Sequence, residues 1–163
     1  MKSLKDISFL IIGAVIIVCS FYLFLQKPAP ERYQSKVLTS QVDTLRIGDK
    51  SISVEVANTP EARTQGLSGR KELKDNTGML FVFDTPAQYG FWMKEMNFAL
   101  DIVWIDEMLH IVGIEKEVSP DTFPQVFKPV ESAKYVLEMP AGWVEKNHID
   151  IGHVVLLDTQ STQ

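Results

Sequence analysis

The apolar residues of this chain follow two different patterns. Residues 7–25 form one uninterrupted run without a charged side chain, whereas from about residue 41 short apolar runs alternate with turn-forming residues. A helix of about 19 residues rises ~28 Å, close to the ~30 Å hydrocarbon core of a bilayer. The pattern therefore predicts one membrane-spanning helix followed by a mainly β domain.

The first elements of the β domain carry clear turn and cap signals. Residues 43–47 and 51–56 flank a Gly-Asp pair, which suits a tight hairpin because glycine adopts positive φ without strain. Thr59 followed by Pro60 predicts the start of a short helix, since proline lacks only a donor that would be unpaired there. Gly66 is expected to end that helix.

Further strands are predicted from short runs of β-branched and aromatic residues. Their ranges are 79–83, 90–93, 100–105, 109–118, 134–139 and 153–157. Prolines between residues 118 and 134 predict a loop, and residues 141–147 predict one or two helical turns. Together these elements predict a compact antiparallel β-sandwich or barrel with one or two short helices, preceded by one transmembrane helix.

The organisation expected along the chain has five parts. They are a cytoplasmic stub (1–6), a transmembrane signal anchor (7–25), a linker (26–40), a mainly β globular domain (41–158) and a tail (159–163). The competing interpretation of residues 7–25 is a cleaved secretory signal, but such signals have a shorter apolar region of ~7–15 residues. We therefore expect a single-pass membrane protein whose partner is the lipid bilayer and whose domain lies outside the cytoplasm.

Composition narrows the chemistry. The net charge of −5 at pH 7 disfavours a nucleic-acid partner, and Cys19, the single cysteine, lies in the apolar run. His110, His148 and His153 lack metal-ligand spacing, and no nucleophile motif is present. The sequence thus predicts no catalytic residue, no metal site and no cofactor.

Several motifs follow one another in the β domain. They read RxxGLxxRxxL from Arg63, GMLFVF from Gly78, FWMK from Phe91, LDI from Leu100 and YVLExxAG from Tyr135. In this order they resemble the uncharacterised family catalogued as domain of unknown function 192, over about residues 41–158. The resemblance implies a compact β-sandwich or barrel, often exported or anchored, with no established activity or ligand. Where family members tend to read Met-Lys-Asn-Thr and Pro-Leu-Asp, this chain reads MKEM from Met93 and ALD from Ala99.

Asp101 is the first candidate for a functional side chain. Within LDIVWI, a period of two places it on the same face as Val103, so that face is expected to bury it. A buried carboxylate needs a partner, and Arg63, Arg70 or Lys94 are the candidate cations. These groups form either a structural ion pair or a clamp for a polar or anionic ligand.

Glu138 and Trp92 complete the candidate ligand-binding set. Glu138 alternates away from Leu137 and is predicted to face Asp101 from another strand, or to be an exposed or salt-bridged strand residue. A facing pair of carboxyls would resemble the acid and base of a glycosidase. Trp92 either packs in the core or presents a ring on which a sugar stacks.

Three functions from different classes follow as hypotheses. The favoured one is an extracytoplasmic, membrane-anchored binding or accessory module for a small polar ligand, a glycan or an envelope partner. The second is an interaction or structural protein of the envelope without a pocket. The third is a hydrolase that uses Asp101 and Glu138, although the missing catalytic motifs favour a protein that is not an enzyme.

Overall fold

The computed structural model describes residues 42–159, which form seven strands and two short helices. The strands are β1 (Val42–Ile47), β2 (Lys50–Ala57), β3 (Thr77–Ala87), β4 (Leu100–Ile105), β5 (Ile111–Val118), β6 (Ala133–Pro140) and β7 (Val155–Thr159). The helices are α1 (Pro60–Gln65) and α2 (Trp143–Lys146), and a 3₁₀ turn covers Pro120–Thr122. A mainly β fold with short helices, as the sequence predicted, is confirmed.

The hairpin and the first helix form for the reasons expected from the sequence. Gly48 has a φ of 59° in the turn between β1 and β2, and these strands pair antiparallel. The Thr59 hydroxyl accepts a hydrogen bond from the Ala62 amide at 3.1 Å, and Pro60 occupies the first turn of α1. Local chemistry alone therefore specifies this part of the fold.

All seven strands belong to one sheet with the order β5-β4-β6-β3-β2-β1-β7. The sheet curls so that the beginnings of its two edge strands, β5 and β7, come together: the Ile111 amide donates to the His153 carbonyl at 2.9 Å, and the Val155 amide donates to the Leu109 carbonyl at 2.8 Å. The result is a half-barrel. The expectation of purely antiparallel pairing is wrong, because β2 and β3 are parallel and α1 lies in the crossover that such a pair requires.

Both faces of the sheet are covered. Every residue of β4 is buried, and alternate residues join different clusters: Val103 and Ile105 face inward with Trp143 of α2, whereas Ile102 and Trp104 pack on the outer side. The inward side is called the barrel face below. The outer side, covered by α1 and residues 89–98, is called the cleft face.

Two predicted elements, a strand at residues 90–93 and a membrane-spanning helix, are not seen among the described residues. The strand predicted at residues 90–93 is wrong, because that stretch makes a single bridge, between Phe91 and Phe127, and covers the cleft face instead of joining the sheet. Among residues 42–159 no helix is long and apolar enough to cross a membrane. The anchor predicted at residues 7–25 lies outside the described residues.

Candidate ligand-binding cleft

A cleft of about 380 Å³ opens on the cleft face, between α1 and the segment that follows β3. Its lining includes Arg63, Gly66, Leu67, Phe81, Phe83, Tyr89, Phe91, Trp92, Lys94, Met96 and Glu138. The Ser68 hydroxyl donates to the Lys94 carbonyl at 3.0 Å, and the Gly69 amide donates to the Glu95 carbonyl at 2.9 Å. These two bonds hold the two walls together.

Glu138 contributes an acid to the wall of this cleft. Its side chain is 5% exposed, and its Oε2 atom has no hydrogen-bond partner among residues 42–159. Burial raises the pKa of the Glu138 carboxyl to about 8, because the charged form loses its hydration without gaining a cation. At pH 7 the group is therefore mostly a neutral acid that can both donate and accept a hydrogen bond.

Aromatic rings form most of the walls. Phe83 and Tyr89 stack with their rings 11° apart in orientation, and Phe81 meets Phe91 edge to face at 4.8 Å. Trp92 is 53% exposed at the mouth, and the centre of its ring lies 6.0 Å from the centre of the Phe123 ring in an edge-to-face arrangement. Trp92 is therefore not packed in the hydrophobic core, and its ring is accessible to a ligand.

Gly66 makes room at the base of α1. It has a φ of 49°, and a Cβ atom there would lie 3.3 Å from the Phe81 ring. Only glycine adopts this backbone conformation readily while leaving the aromatic ring in place. The glycine of the RxxGL motif thus shapes the cleft.

Arg63 places a cation in the cleft wall. Its Nη1 atom donates to the Asn58 carbonyl at 2.9 Å and to the Val82 carbonyl at 2.8 Å, and the guanidinium lies 5.1 Å from the centre of the Phe83 ring. No ion pair joins Arg63 to an acidic side chain within the described part of the chain. Its charge is held in place but is not neutralised by a carboxylate.

Lys94 lies where the cleft adjoins a second recess of about 520 Å³, and Thr64, Trp92 and Lys94 are among the residues that line both. The ammonium group lies 4.0 Å from Glu95, and both side chains are well exposed. Glu95 itself has a φ of 56°, a conformation that asparagine adopts more readily. The Asn expected from the family resemblance would therefore fit this backbone well.

Asp101 is not part of the cleft, and the ion pair predicted for it is wrong. Its Oδ1 atom accepts hydrogen bonds from the amides of Glu117 at 2.8 Å and Gly142 at 3.2 Å, and its Oδ2 atom accepts one from Val144 at 2.8 Å. These amides belong to a bulge in β5 and to the start of α2, where backbone donors lack regular partners. Asp101 thus serves the fold.

Arg70 also lies elsewhere. Both of its terminal nitrogens donate to Glu55 at 2.6 Å, so it forms the bidentate pair with a different carboxylate from the one predicted. This pair lowers the pKa of Glu55 through hydrogen bonding to Arg70. Of the six predicted site residues, the structure brings together Arg63, Trp92, Lys94 and Glu138, and leaves out Arg70 and Asp101.

The facing pair of carboxyls predicted for a hydrolase does not form. Asp101 pairs with Met139 across β4 and β6, and Ile102 pairs with Glu138, so the two acids point to opposite faces of the sheet. Within residues 42–159 no group of three or more acidic, histidine or cysteine side chains is arranged to hold a metal ion. The cleft offers hydrogen bonds, aromatic surface and positive charge.

Sequence reasoning missed the aromatic part of the cleft. Phe81 and Phe83 alternate with period two in GMLFVF and lie on one face of β3, but nothing local links that face to Glu138. The link is the register of β3 with β6, in which Met79 pairs with Glu138. Pairing the GMLFVF strand with the YVLE strand would have placed Glu138 beside these aromatic residues.

Comparison with known proteins identifies relatives with the same architecture. A structure from Sinorhizobium meliloti, described as a "putative transcription regulator", superimposes with a TM-score of 0.66 at 29% identity, covering 69% of this chain and 90% of that one. A protein of unknown function from Novosphingobium aromaticivorans has a TM-score of 0.65 at 25% identity, covering 69% and 82%. No curated protein matches the chain.

The family comparison covers nearly the whole sheet. The model of DUF192, described as "Uncharacterized ACR", matches residues 43–157, which run from β1 into β7 and include every residue that lines the cleft. The chain therefore belongs to the DUF192 family.

Proposed function

We propose that this protein is a binding module for a small polar ligand, which occupies the cleft between α1 and residues 89–96. The observation that carries the proposal is Glu138, a buried carboxyl whose Oε2 atom lacks a partner among the described residues and which lines an aromatic cleft. A buried polar group without a partner costs free energy, so its presence here is best explained by a ligand that supplies the missing hydrogen bond.

The remaining features of the cleft support binding more than catalysis. Its volume of about 380 Å³ falls in the range of small-molecule sites, and its walls combine ring surfaces with a few polar groups. The cleft contains one carboxyl, Glu138, and no histidine or cysteine. An acid and a base side by side, as general acid–base chemistry commonly uses, are therefore not present in its lining.

The proposal extends to the place where binding occurs. The apolar run of residues 7–25 is long enough for one membrane span, and a short basic leader before it favours export of the chain that follows. We therefore place the cleft outside the cytoplasm, on a domain tethered to the membrane. The net charge of −5 gives no support for carrying the description of the S. meliloti relative over to this chain.

A ligand screen tests the proposal directly. Full-length protein in a detergent without a sugar headgroup is screened by thermal shift against sugars, organic acids, amines and amino acids. A ligand at 100 times its Kd adds ~2.7 kcal/mol, which raises Tm by ~5–10 °C.

Matched variants show whether the cleft is responsible. The shift should be lost in Glu138→Leu and reduced in Trp92→Ala, whereas Arg70→Ala, a change outside the cleft, should keep it. A shift that survives both cleft substitutions, or the absence of any shift across the panel, would refute the proposal.

A second candidate function is recognition of an envelope protein at the mouth of the cleft. Trp92, Phe123 and Val126 are exposed by 53%, 45% and 47%, and Trp92 contacts Phe123. Adjacent exposed apolar side chains are typical of protein-binding surfaces. A photo-crosslinker placed at Phe123 should capture a defined partner protein, and Val126→Asp should abolish that crosslink. A photo-crosslinker at Met108, which is exposed in the turn before β5, should capture no such partner.

A further inference from the structure

Two polar groups that line the cleft have no partner of opposite character among the described residues. The guanidinium of Arg63 bonds to two backbone carbonyls but forms no ion pair with any acid in residues 42–159. The Oε2 atom of Glu138 is shielded and has no hydrogen-bond partner in the same part of the chain. A ligand that offers both a negative charge and a hydrogen-bonding group would therefore complement the cleft.

The charge of the cleft selects among ligand classes. Its charged or ionisable lining residues are Arg63, Lys94, Tyr89 and Glu138, so the fixed charges are both positive. Glu61 and Glu95 line the adjoining recess and not the cleft itself, and Glu95 is beside Lys94. A cationic ligand would meet two like charges inside the cleft, whereas an anionic ligand would meet two opposite charges.

The walls set the shape of the ligand. Phe91 and the stacked pair of Phe83 and Tyr89 line the cleft over the buried Phe81 ring, and Trp92 adds an exposed ring at the mouth. Aromatic rings of this kind pack against the apolar faces of sugar rings. The cleft volume of about 380 Å³ admits a ligand of one or two rings.

We propose that the cleft binds a hydroxylated carboxylate of sugar size, of which a hexuronic acid is the simplest ring form. In this arrangement the carboxylate of the ligand lies against Arg63 with Lys94 nearby, a hydroxyl group bonds to Glu138, and the ring packs on the aromatic walls. This inference rests on the proposed function, because it specifies the ligand of the same cleft.

Three probes with the same ring and different charge test the ligand class: glucuronate, glucose and glucosamine. Binding to the full-length chain, in a detergent without a sugar headgroup and at constant ionic strength, is followed by the indole signal of Trp92 in NMR spectra. Charged hydrogen bonds exceed neutral ones by enough to give about a tenfold difference in Kd. Glucuronate should therefore bind about tenfold more tightly than glucose, and glucosamine more weakly than glucose.

Two variants locate the preference. Arg63→Gln should reduce the ratio of glucose Kd to glucuronate Kd from about tenfold to about onefold or twofold. Arg63 also bonds to the backbone, so Arg63→Gln could disturb the fold as well as the charge. Lys94→Gln changes an exposed side chain and avoids this effect. It should reduce the ratio of the two Kd values in part. Retained glucose binding shows in either variant that the cleft is folded.

The possible outcomes separate this inference from the proposed function. If glucosamine binds most tightly, or if the three probes bind with equal affinity, the proposed ligand class is wrong. Loss of that binding in Glu138→Leu would then still support a binding module. The same holds if these sugars fail to bind and another class from the screen binds in the cleft. If no probe of any class binds, both proposals fall.

Discussion

Two buried acids on neighbouring strands of one sheet have opposite environments in this protein. Asp101 on β4 and Glu138 on β6 are the two buried acids among the described residues, at 0% and 5% exposure. Asp101 accepts three backbone hydrogen bonds on the barrel face. Glu138, on the cleft face, has an oxygen without a partner in residues 42–159.

The difference follows from what covers each face. Beside Asp101 lie a bulge in β5 and the start of α2, and both leave amides that need an acceptor. Glu138 lies in the wall of the cleft with Phe81 and Met96, and no described residue donates a hydrogen bond to its Oε2 atom. A buried acid thus stabilises the fold where the backbone lacks acceptors, and indicates a binding site where the surroundings supply no donor.

The largest effect is expected when the well-bonded acid is removed. Asp101→Ala leaves three amides without an acceptor and should lower the free energy of unfolding by ~3–5 kcal/mol, measured by urea denaturation. Asp84→Ala, at an exposed position on β3, is the control and should change it by less than ~0.5 kcal/mol. A loss below ~1 kcal/mol for Asp101→Ala would show that these bonds do not hold α2 and the bulge.

The second effect concerns the pH dependence due to Glu138. Its pKa rises from 4.5 in the unfolded chain to about 8 in the folded one, so between these values the unfolded chain has released a proton that the folded protein keeps. Stability from this group is complete below pH 4.5 and falls as pH rises towards 8. Glu138→Gln removes this titration. The free energy of unfolding of the variant minus that of the wild type should therefore increase by ~3 kcal/mol from pH 4.5 to pH 7.

Urea denaturation of both proteins across this pH range measures that difference, because the contributions of all other titrating groups are the same in the two proteins and cancel on subtraction. A difference that stays constant with pH would mean that Glu138 is ionised in the folded protein, and the contrast with Asp101 would then be lost.

A smaller effect is expected at the mouth of the cleft. Trp92 is half exposed, so Trp92→Ala should lower the free energy of unfolding by only ~1 kcal/mol while weakening ligand binding. Trp143→Ala on the barrel face provides the contrast, because that indole is buried and donates to Asn76 at 3.0 Å. Its loss should cost ~3–5 kcal/mol. Similar losses in thermal unfolding for both variants would contradict the division between a structural face and a binding face.

The smallest effect is expected for the surface pair of Arg70 and Glu55. Arg70→Met should lower the free energy of unfolding by less than ~1 kcal/mol near pH 7 and leave ligand affinity unchanged. Because the pair lowers the pKa of Glu55, its contribution is present above pH 4.5 and is lost as pH falls through the lowered pKa, opposite in sign to the effect of Glu138. A change in ligand affinity would place Arg70 in the cleft after all.

The local elements of the fold were predictable because each depends on neighbouring residues. The hairpin turn depends on Gly48, the start of α1 on Thr59 and Pro60, and the predicted strand at 100–105 coincides with β4. The stretch 90–93 was mistaken for a strand because aromatic residues favour sheets and protein cores alike. Phe91 packs onto the sheet face, and a single bridge is its only share in strand pairing.

The sequence by itself determined which side chains alternate along each strand, so Glu138 was correctly separated from Leu137 and Asp101 was correctly grouped with Val103. Only the tertiary structure decided what these alternating faces meet. The register of β4 with β6, Asp101 opposite Met139, sends the two acids to opposite sides of the sheet. That register depends on contacts between residues far apart in the chain, and a shift of one residue would reverse the faces without altering either local pattern.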